Sequence, residues 1–288
     1  MKVSQLFVYP VKSLRGFAVD QAELTPLGLK YDRHWMLIND KNQFVTQRKH
    51  PSMVLIKTRI NDGYLYLSKT GMPEIKVQIE NDDNQNKHLI ASVWGDQCNV
   101  VDEGDDIAQW LTEAIESPRS FRLVRMAAEH SRPQSNPERF GADNTTQFAD
   151  TVAYLICNQN SLDRLNKELT ENKMRASLME QFRPNIVLSD DKQSSHSLTP
   201  FAEHQAIEFV HNDYSFVSHD ACQRCIVPTI NIETGEKHPQ QEPYKTLVKI
   251  NPMPGNLKAP AFGQNATLKK TSKGQVIRLN DSIESIFS

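Results

Sequence analysis

Cysteine is scarce in this chain, and long apolar runs are missing. The 288 residues contain 4 cysteines at uneven spacing, too few for the disulfide scaffold of a small secreted protein. No stretch comes near the roughly 18 uninterrupted apolar residues that a membrane-spanning helix needs. The first residues, MKVSQLFVYPVKS, alternate apolar with polar positions and lack the apolar core of a signal peptide. We therefore expect a cytoplasmic protein that does not act at a membrane.

An excess of either charge is also missing. The 33 lysines and arginines and the 35 acidic residues give a net charge of −2, so no global positive potential would attract nucleic acid. Internal repeats and low-complexity tracts are absent from the sequence, which argues against solenoids and propellers. A few basic residues near turns could still form a small anion site. The length suits one large or two moderate domains.

Short strand-like segments separated by turn signals make up most of the chain. The first hundred residues predict antiparallel β-structure, with MVLIKTRI (53–60) as one strand and a hairpin from HWMLIND into FVTQ. Later strand-like segments are FRLVRM, TVAYLICN, FRPNIVLS, AIEFV, SFVSHDACQRCIVPTINI and VIRLNDSIESIF. We therefore predict a mainly β protein with a few helices, a β-rich α+β fold.

Two segments have helical spacing, and a third has none. Apolar residues at helical spacing, acidic residues in the first turn and Pro118 past the end predict a helix over 102–117. A second helix is predicted over 158–172, with Asn160 or Ser161 as its N-cap. The segment 127–150 has little apolar periodicity and several prolines and glycines, so we predict a long loop there.

The most informative local motif is the CxxC pair of Cys222 and Cys225 in DACQRCIVPTINIETGE. It is compatible with a redox dithiol, with half of a zinc site completed by histidines, or with one thiolate that binds a soft metal. A redox dithiol needs a helix start, which the β-branched, proline-containing IVPTINI does not favour. A fourth interpretation is that both are small buried core residues. The residues alone favour this last interpretation.

Three basic residues and a hydroxyl lie near the N-terminus. YPVKSLRG places Lys12, Ser13 and Arg15 after a predicted strand and before a glycine turn, and DRHW adds Arg33. A lysine, a hydroxyl and an arginine that converge on a turn can bind a phosphate, because guanidinium forms bidentate hydrogen bonds with it. Each of these residues alone is equally compatible with a solvated charge at a strand end.

Polar residues also flank two strands that are predicted to be buried. In FRPNIVLS, Arg183 and Asn185 flank a proline at the start of an apolar strand, where arginine can bind an anion and asparagine can donate and accept. In FADTVAY, Asp150 and Thr151 offer an acceptor and a hydroxyl beside a strand. Exposed strand starts and turn-capping residues are the alternative interpretations.

Taken together, these motifs resemble the MOSC-domain proteins with an N-terminal β-barrel domain, such as the amidoxime-reducing component and its bacterial relatives. The resemblance covers nearly the full length. It implies an N-terminal MOSC-associated β-barrel-like domain over 1–120 and a MOSC β-barrel domain over 121–288. The segments that carry it are YPVKSLRG, LGLKYDRHWMLIND, FADTVAYLICNQNSLDRLN, FRPNIVLS, ACQRCIVPTINIETGE, EPYKTL and FGQN.

The resemblance implies a molybdenum–molybdopterin cofactor, without pyridoxal phosphate, in an oxidoreductase that reduces N-hydroxylated substrates. Cys225 would be the protein's ligand to the metal and its catalytic residue, and a soft thiolate suits a sulfur-rich metal centre. The resemblance further implies that Lys12, Ser13 and Arg33 hold the pterin phosphate and that Arg183 and Asn185 contact the cofactor from the second domain. Asp150 and Thr151 would lie beside the metal or the pterin.

Two departures from the family pattern carry consequences. The family often has Asp-Pro-Asp-Thr-Gly after the cysteine, whereas this chain has Asn231, Ile232 and Glu233 before Thr-Gly, so no role is expected for that turn. Some bacterial relatives append an iron–sulfur domain, which needs four further cysteines. No cysteine follows Cys225 here. We therefore expect electrons from a separate reductase or small redox protein that docks near the metal site.

A second function from another class is compatible with the same resemblance. The MOSC fold also occurs in proteins that deliver sulfur to the molybdenum cofactor, so the chain could be a non-catalytic cofactor carrier or a sulfur-delivery module. A carrier would release its pterin readily, whereas an enzyme would retain it and reduce a small N-oxygenated substrate. A third interpretation is a β-domain interaction protein with a structural CxxC.

Overall fold

Strands dominate the computed structural model, which describes residues 1–80, 86–134, 136–141, 144–190 and 198–287. The fold class is confirmed as mainly β with a few helices. Up to residue 126, the strands of the described chain are β1 (Lys2–Val8), β2 (Phe17–Val19), β3 (Gln21–Thr25), β4 (Gly28–Leu29), β5 (Trp35–Ile38), β6 (Lys57–Asn61), β7 (Tyr64–Ser68), β8 (Ile75–Gln78), β9 (His88–Val93), β10 (Asp96–Asp102) and β11 (Arg122–Met126). After it come β12 (Tyr154–Asn158), β13 (Ile186–Ser189), β14 (Ala206–Val210), β15 (Ser215–Gln223), β16 (Pro252–Met253), β17 (Asn256–Leu268), β18 (Val276–Arg278) and β19 (Glu284–Phe287).

Helices fill the gaps between the sheets. Those described are α1 (Asp105–Ile115), α2 (Pro137–Phe140), α3 (Gln159–Glu171) and α4 (Tyr244–Ile250), with short 3-10 segments at Pro51–Leu55, Met179–Phe182, Ala202–Gln205, Val227–Thr229 and Lys270–Ser272. The predicted first helix is confirmed. It starts after Gly104 and ends at Glu116, which takes a left-handed conformation. No helix in the described ranges is both long and apolar enough to cross a bilayer.

The largest sheet holds nine of the described strands, in the order β19-β14-β15-β17-β12-β13-β1-β2, with β16 attached to β17. A four-stranded sheet runs β5-β11-β10-β9, and two three-stranded sheets run β18-β3-β4 and β6-β7-β8. The pairs are antiparallel except β12 with β13, which run parallel. Among the described residues, each order runs from one edge strand to another and does not close into a ring.

Two large apolar cores support these sheets. One lies along the nine-stranded sheet and includes Leu6, Ile156 and Phe216. The other packs α1 against the smaller sheets through residues such as Trp35 and Trp110. Complete burial of such side chains stabilises the fold by roughly 1.5–3 kcal/mol each.

Strand pairing crosses the predicted domain boundary at residue 120 in both directions. β1 and β2 of the N-terminal segment join the large sheet, where β1 pairs with β13. β11 of the later segment pairs with β5 and β10. The division into 1–120 and 121–288 stays a prediction, and the two segments share their sheets.

Three local predictions were wrong, and a fourth was incomplete. The first half of MVLIKTRI forms a 3-10 turn after Pro51, and only its second half enters β6. The N-cap of α3 is Asn158, whose side chain accepts from the Asn160 backbone N–H. The strand predicted through Ile232 ends at Gln223, because a short 3-10 turn with a proline follows. The loop predicted over 127–150 contains the short helix α2, and its residues 135 and 142–143 lie outside the described ranges.

Candidate functional site

One cavity of about 170 Å³ brings the predicted site residues together. It lies where the segments after β1 and before β5, β12 and β13 meet the end of β15. These segments are far apart in sequence, and pairing in the large sheet brings their ends to one place. All eight predicted site residues line it: Lys12, Ser13, Arg33, Asp150, Thr151, Arg183, Asn185 and Cys225.

Three of these residues have a backbone conformation that is uncommon for side chains with a Cβ. Ser13, Arg33 and Arg183 have φ values of 67°, 48° and 56°, in the left-handed region. Such a conformation costs on the order of 1 kcal/mol per residue and persists where the surroundings impose it. Backbone strain at a cavity wall is often found at functional sites.

An ion pair closes one side of the cavity. The ammonium of buried Lys12 contacts Asp150 and donates to the Phe148 carbonyl at 2.7 Å. Burial lowers the pKa of Lys12, and the neighbouring Asp150 offsets only part of that effect. Partial desolvation at the cavity wall would raise the pKa of Asp150, but Lys12 and a 2.9 Å hydrogen bond from Trp94 Nε1 hold it well below its usual range. Asp150 is therefore an anion throughout the physiological pH range.

Two guanidinium groups lie over the ring of buried Tyr9. Arg33 lies 4.5 Å and Arg183 4.4 Å from its centroid. Arg33 pairs with Asp32 and donates to the Arg183 carbonyl at 3.1 Å, while Arg183 donates to the Leu14 carbonyl at 2.6 Å. Burial, together with the charge of Arg33, lowers the pKa of Arg183 to about 10. Arg183 therefore remains charged at neutral pH.

The CxxC segment forms the opposite side of the cavity. Arg224, between the cysteines, donates from Nη1 to Cys222 Sγ at 3.1 Å and from Nη2 to the Phe182 carbonyl at 2.7 Å. Its Nε is buried and has no hydrogen-bond partner. Cys222 is half-buried, whereas Cys225 is exposed. The accessible thiol is thus the one that the resemblance assigns to the metal.

The alternatives to a single thiolate find little support here. Cys222 lies near the end of β15 and Cys225 lies between that strand and a 3-10 turn, whereas a thioredoxin-like dithiol needs the start of a helix. The described residues contain no group of three or more His, Cys, Asp or Glu that could hold a metal ion, so they do not form a four-ligand zinc site.

Asn185 both lines the cavity and hydrogen-bonds the backbone of the large sheet. It is 1% exposed, and its Oδ1 accepts from the Leu155 backbone N–H at 3.1 Å. Its Nδ2 donates to the Phe7 carbonyl at 3.5 Å. This amide joins three neighbouring strands of the large sheet, and its contact with the cofactor stays a prediction.

Sequence reasoning missed several residues of the cavity wall, among them Gln47, Arg48, Arg224 and Asn265. A signal existed for three of them, since Arg48 lies in the basic segment TQRKH, Arg224 lies within the CxxC motif and Asn265 lies in FGQN. Within the described chain, none of Arg48, Arg183 and Arg224 forms a salt bridge with a carboxylate. The cavity thus has a surplus of positive charge in a protein whose net charge is −2.

The chain combines a β-rich fold with a positively charged cavity and an accessible thiol, and two family models match its sequence. The model described as the MOSC N-terminal beta barrel domain matches residues 1–118, and the one described as the MOSC domain matches 143–284. The chain belongs to the family of MOSC-domain proteins.

Individual relatives place it within that family. Mitochondrial amidoxime-reducing component 1 of Mus musculus is 32% identical over 98% of this chain and 81% of that protein. The Homo sapiens protein of the same name is 32% identical over 93% of this chain and 78% of its own length. Molybdenum cofactor sulfurase of Drosophila mojavensis is 29% identical over 83% of this chain, but over only 29% of that protein. The predicted resemblance to amidoxime-reducing components is confirmed.

Proposed function

We propose that this protein is a molybdenum-cofactor-dependent oxidoreductase that reduces N-hydroxylated compounds such as amidoximes, hydroxylamines and N-hydroxylated bases. One observation carries the proposal: the exposed thiol Cys225 shares a cavity with five cationic side chains. These are Lys12, Arg33, Arg48, Arg183 and Arg224.

The donor set fits an anionic pterin with a sulfur-bound metal. Three guanidinium groups without a carboxylate partner among the described residues can bind phosphate through charge-assisted hydrogen bonds. The buried, unpartnered Nε of Arg224 is a donor directed at no protein atom. A buried donor without a hydrogen bond costs about 1–3 kcal/mol of stability, and a bound acceptor would remove that cost.

Each predicted residue has a role in this proposal. Lys12, Ser13 and Arg33 would hold the pterin phosphate, and Arg183 with Asn185 would contact the pterin from the other side. The Cys225 thiolate would ligate molybdenum. Thr151 would lie beside the metal or pterin and supply a hydroxyl.

The bound cofactor would supply two-electron redox chemistry, and the chain would bind and orient the substrate. Asp150 stays ionised, so its free carboxylate oxygen can accept a hydrogen bond from a substrate N–H or O–H group. We propose a separate reductase or small redox protein as electron donor, docked near Cys225. The cytoplasmic location and the absence of nucleic-acid and membrane partners stay predictions.

The test is to substitute Cys225→Ala and express the protein in a host that makes the cofactor. We expect loss of bound molybdenum and of benzamidoxime reduction with an artificial electron donor. Cys98→Ala, which removes a buried thiol of the four-stranded sheet, is the matched control and should keep both. Unchanged turnover in Cys225→Ala would refute the proposal, and a pterin that leaves readily without turnover would favour the carrier or sulfur-delivery alternative.

A further inference from the structure

Trp94 combines exposure with a strained backbone. Its side chain is 47% exposed, and φ is 54° at Trp94 and 99° at Gly95. The two residues form the turn between β9 and β10, whose flanking residues Val93 and Asp96 are paired. Positive φ at both positions of a two-residue hairpin turn favours asparagine and glycine and disfavours a bulky side chain. An exposed indole held at such a cost in stability points to a function.

The indole is fixed by residues of the cavity. Its Nε1 donates to Asp150 Oδ1 at 2.9 Å, and the guanidinium of Arg48 lies 4.6 Å from the ring. The ring of Phe44 supports it at 4.8 Å between centroids. Both Asp150 and Arg48 line the cavity that contains Cys225. Trp94 thus stands at the mouth of the proposed active site.

Arg48 reveals what kind of group packs on this ring. A guanidinium is a planar group of one carbon and three nitrogens. Dispersion and cation–π attraction hold such a group against an indole ring. An amidoxime has a similar planar carbon bonded to two nitrogens. An aromatic amidoxime extends that plane with a second ring, which gains further stacking on tryptophan.

We propose that Trp94 is a specificity-determining residue, an aromatic platform that selects flat, conjugated N-oxygenated substrates over aliphatic ones. The inference rests on the proposed function and adds to it a substrate preference. A residue that only held Asp150 in place would affect every substrate equally. The ratio between an aromatic and an aliphatic substrate therefore separates the platform from a positioning role.

The first experiment compares kcat/KM for benzamidoxime and acetamidoxime in the cofactor-loaded protein. Trp94→Leu should lower the benzamidoxime-to-acetamidoxime ratio about tenfold, mainly through a higher KM for benzamidoxime, because the stacking contact with an aromatic side chain is lost. Trp94→Phe keeps a ring without the N–H donor and should keep the ratio within about threefold. An unchanged ratio in Trp94→Leu, or an equal loss for both substrates, would overturn the proposal.

Tyr66→Leu is the matched control, because Arg59 lies 4.0 Å over the Tyr66 ring in a similar stack on the β6-β7-β8 sheet, outside the cavity lining. It should leave the ratio unchanged. If Tyr66→Leu lowered the benzamidoxime-to-acetamidoxime ratio as much as Trp94→Leu, the proposal would also be overturned.

A second readout needs no catalysis. Benzamidine, the reduced product, should bind the wild-type protein about tenfold more tightly than Trp94→Leu in calorimetry, as expected for one lost stacking contact. Equal affinities would reject the platform. If the loaded wild-type protein reduced neither amidoxime, the proposed function would fail, and the calorimetry would still decide the role of Trp94.

Discussion

Asp150 and Glu203 are two carboxylates of the same chain whose surroundings shift their pKa values in opposite directions. Asp150 lies at the cavity, its side chain 62% exposed, against the ammonium of Lys12. Glu203 is 0% exposed and lies beneath the start of α3, where the Ser161 hydroxyl contacts both its oxygens at 2.8 and 2.9 Å. Burial raises the pKa of Glu203 to about 7, with only partial offset from neutral donors.

The difference shows that neutral hydrogen bonds do not replace a counter-charge. The Ser161 hydroxyl and the Asn158 amide satisfy the oxygens of Glu203, yet desolvation still favours its neutral form. At Asp150 the ammonium of Lys12, together with the Trp94 hydrogen bond and the charge of Arg48, reverses the outcome. The chain thus keeps a permanent anion where the proposed chemistry occurs and a titrating group where the fold is supported.

The largest expected effect concerns the pH dependence of stability at Glu203. A carboxyl whose pKa rises from 4.5 to about 7 on folding holds its proton more tightly in the folded chain. Its contribution is therefore greatest below pH 4.5 and is lost as pH rises to about 7, by about 3 kcal/mol in all. Glu203→Gln should remove this slope in chemical denaturation measured at several pH values.

The matched control for that titration is Glu208→Gln, which removes a partly buried ion pair between Glu208 of β14 and Lys269. It should keep the wild-type slope between pH 4.5 and 7. If Glu203→Gln and wild type gave parallel curves, Glu203 would be ionised in the folded chain and the contrast with Asp150 would fail.

The second prediction concerns a substitution that removes the positive charge opposite Asp150 in the cavity. Lys12→Met should lower molybdenum occupancy about tenfold to a hundredfold, because charge-assisted hydrogen bonds contribute about 1.5–3 kcal/mol each. Elemental analysis of protein from a cofactor-competent host measures this. Lys30→Met, which removes an exposed pair with Glu23, should leave occupancy unchanged. Full occupancy in Lys12→Met would exclude Lys12 from the binding site.

Much of the fold follows from local pattern, but strand partners do not. The acidic first turn and Pro118 predict α1 to within a few residues, and the strand-like segments HWMLIND and FRLVRM predict β5 and β11. The pairing of β1 with β13 depends on contacts across most of the chain, which no local signal encodes. The same limit explains why the mixed sheets were not predicted.

The site residues also divide into those that the sequence indicates and those that it does not. Lys12, Arg183 and Cys225 stand out by residue type beside strand ends, and they line one cavity. The left-handed backbone of Arg33 has no sequence signal, because glycine or asparagine would be the usual residue there. Trp94 was not predicted either, since its role depends on where a hairpin turn meets a distant loop.

The third prediction concerns the cap that supports Glu203. Asn158 Oδ1 accepts from the Asn160 backbone N–H at 3.0 Å, and its Nδ2 donates to the Thr199 carbonyl at 3.0 Å. Asn158→Ala should lower the free energy of unfolding by about 1–2 kcal/mol, measured by urea denaturation. Asn172→Ala at the exposed end of α3 should cost less than about 0.5 kcal/mol. Equal losses of unfolding free energy in the two variants would contradict the expected larger contribution of the buried cap.

The smallest expected effect is on stability at Asp150, the carboxylate of the cavity wall. Asp150→Asn keeps the shape and an acceptor for Trp94 but removes the charge opposite Lys12. Solvent screens a side chain that is 62% exposed, so the free energy of unfolding should fall by less than about 1 kcal/mol. The pKa of Asp150 is lowered by folding, so this contribution is present above pH 3.8 and is lost as pH falls below it. Urea denaturation at pH 7 and near pH 3 measures the difference, and a loss above about 2 kcal/mol at pH 7 would mean that the ion pair serves the fold as much as the site.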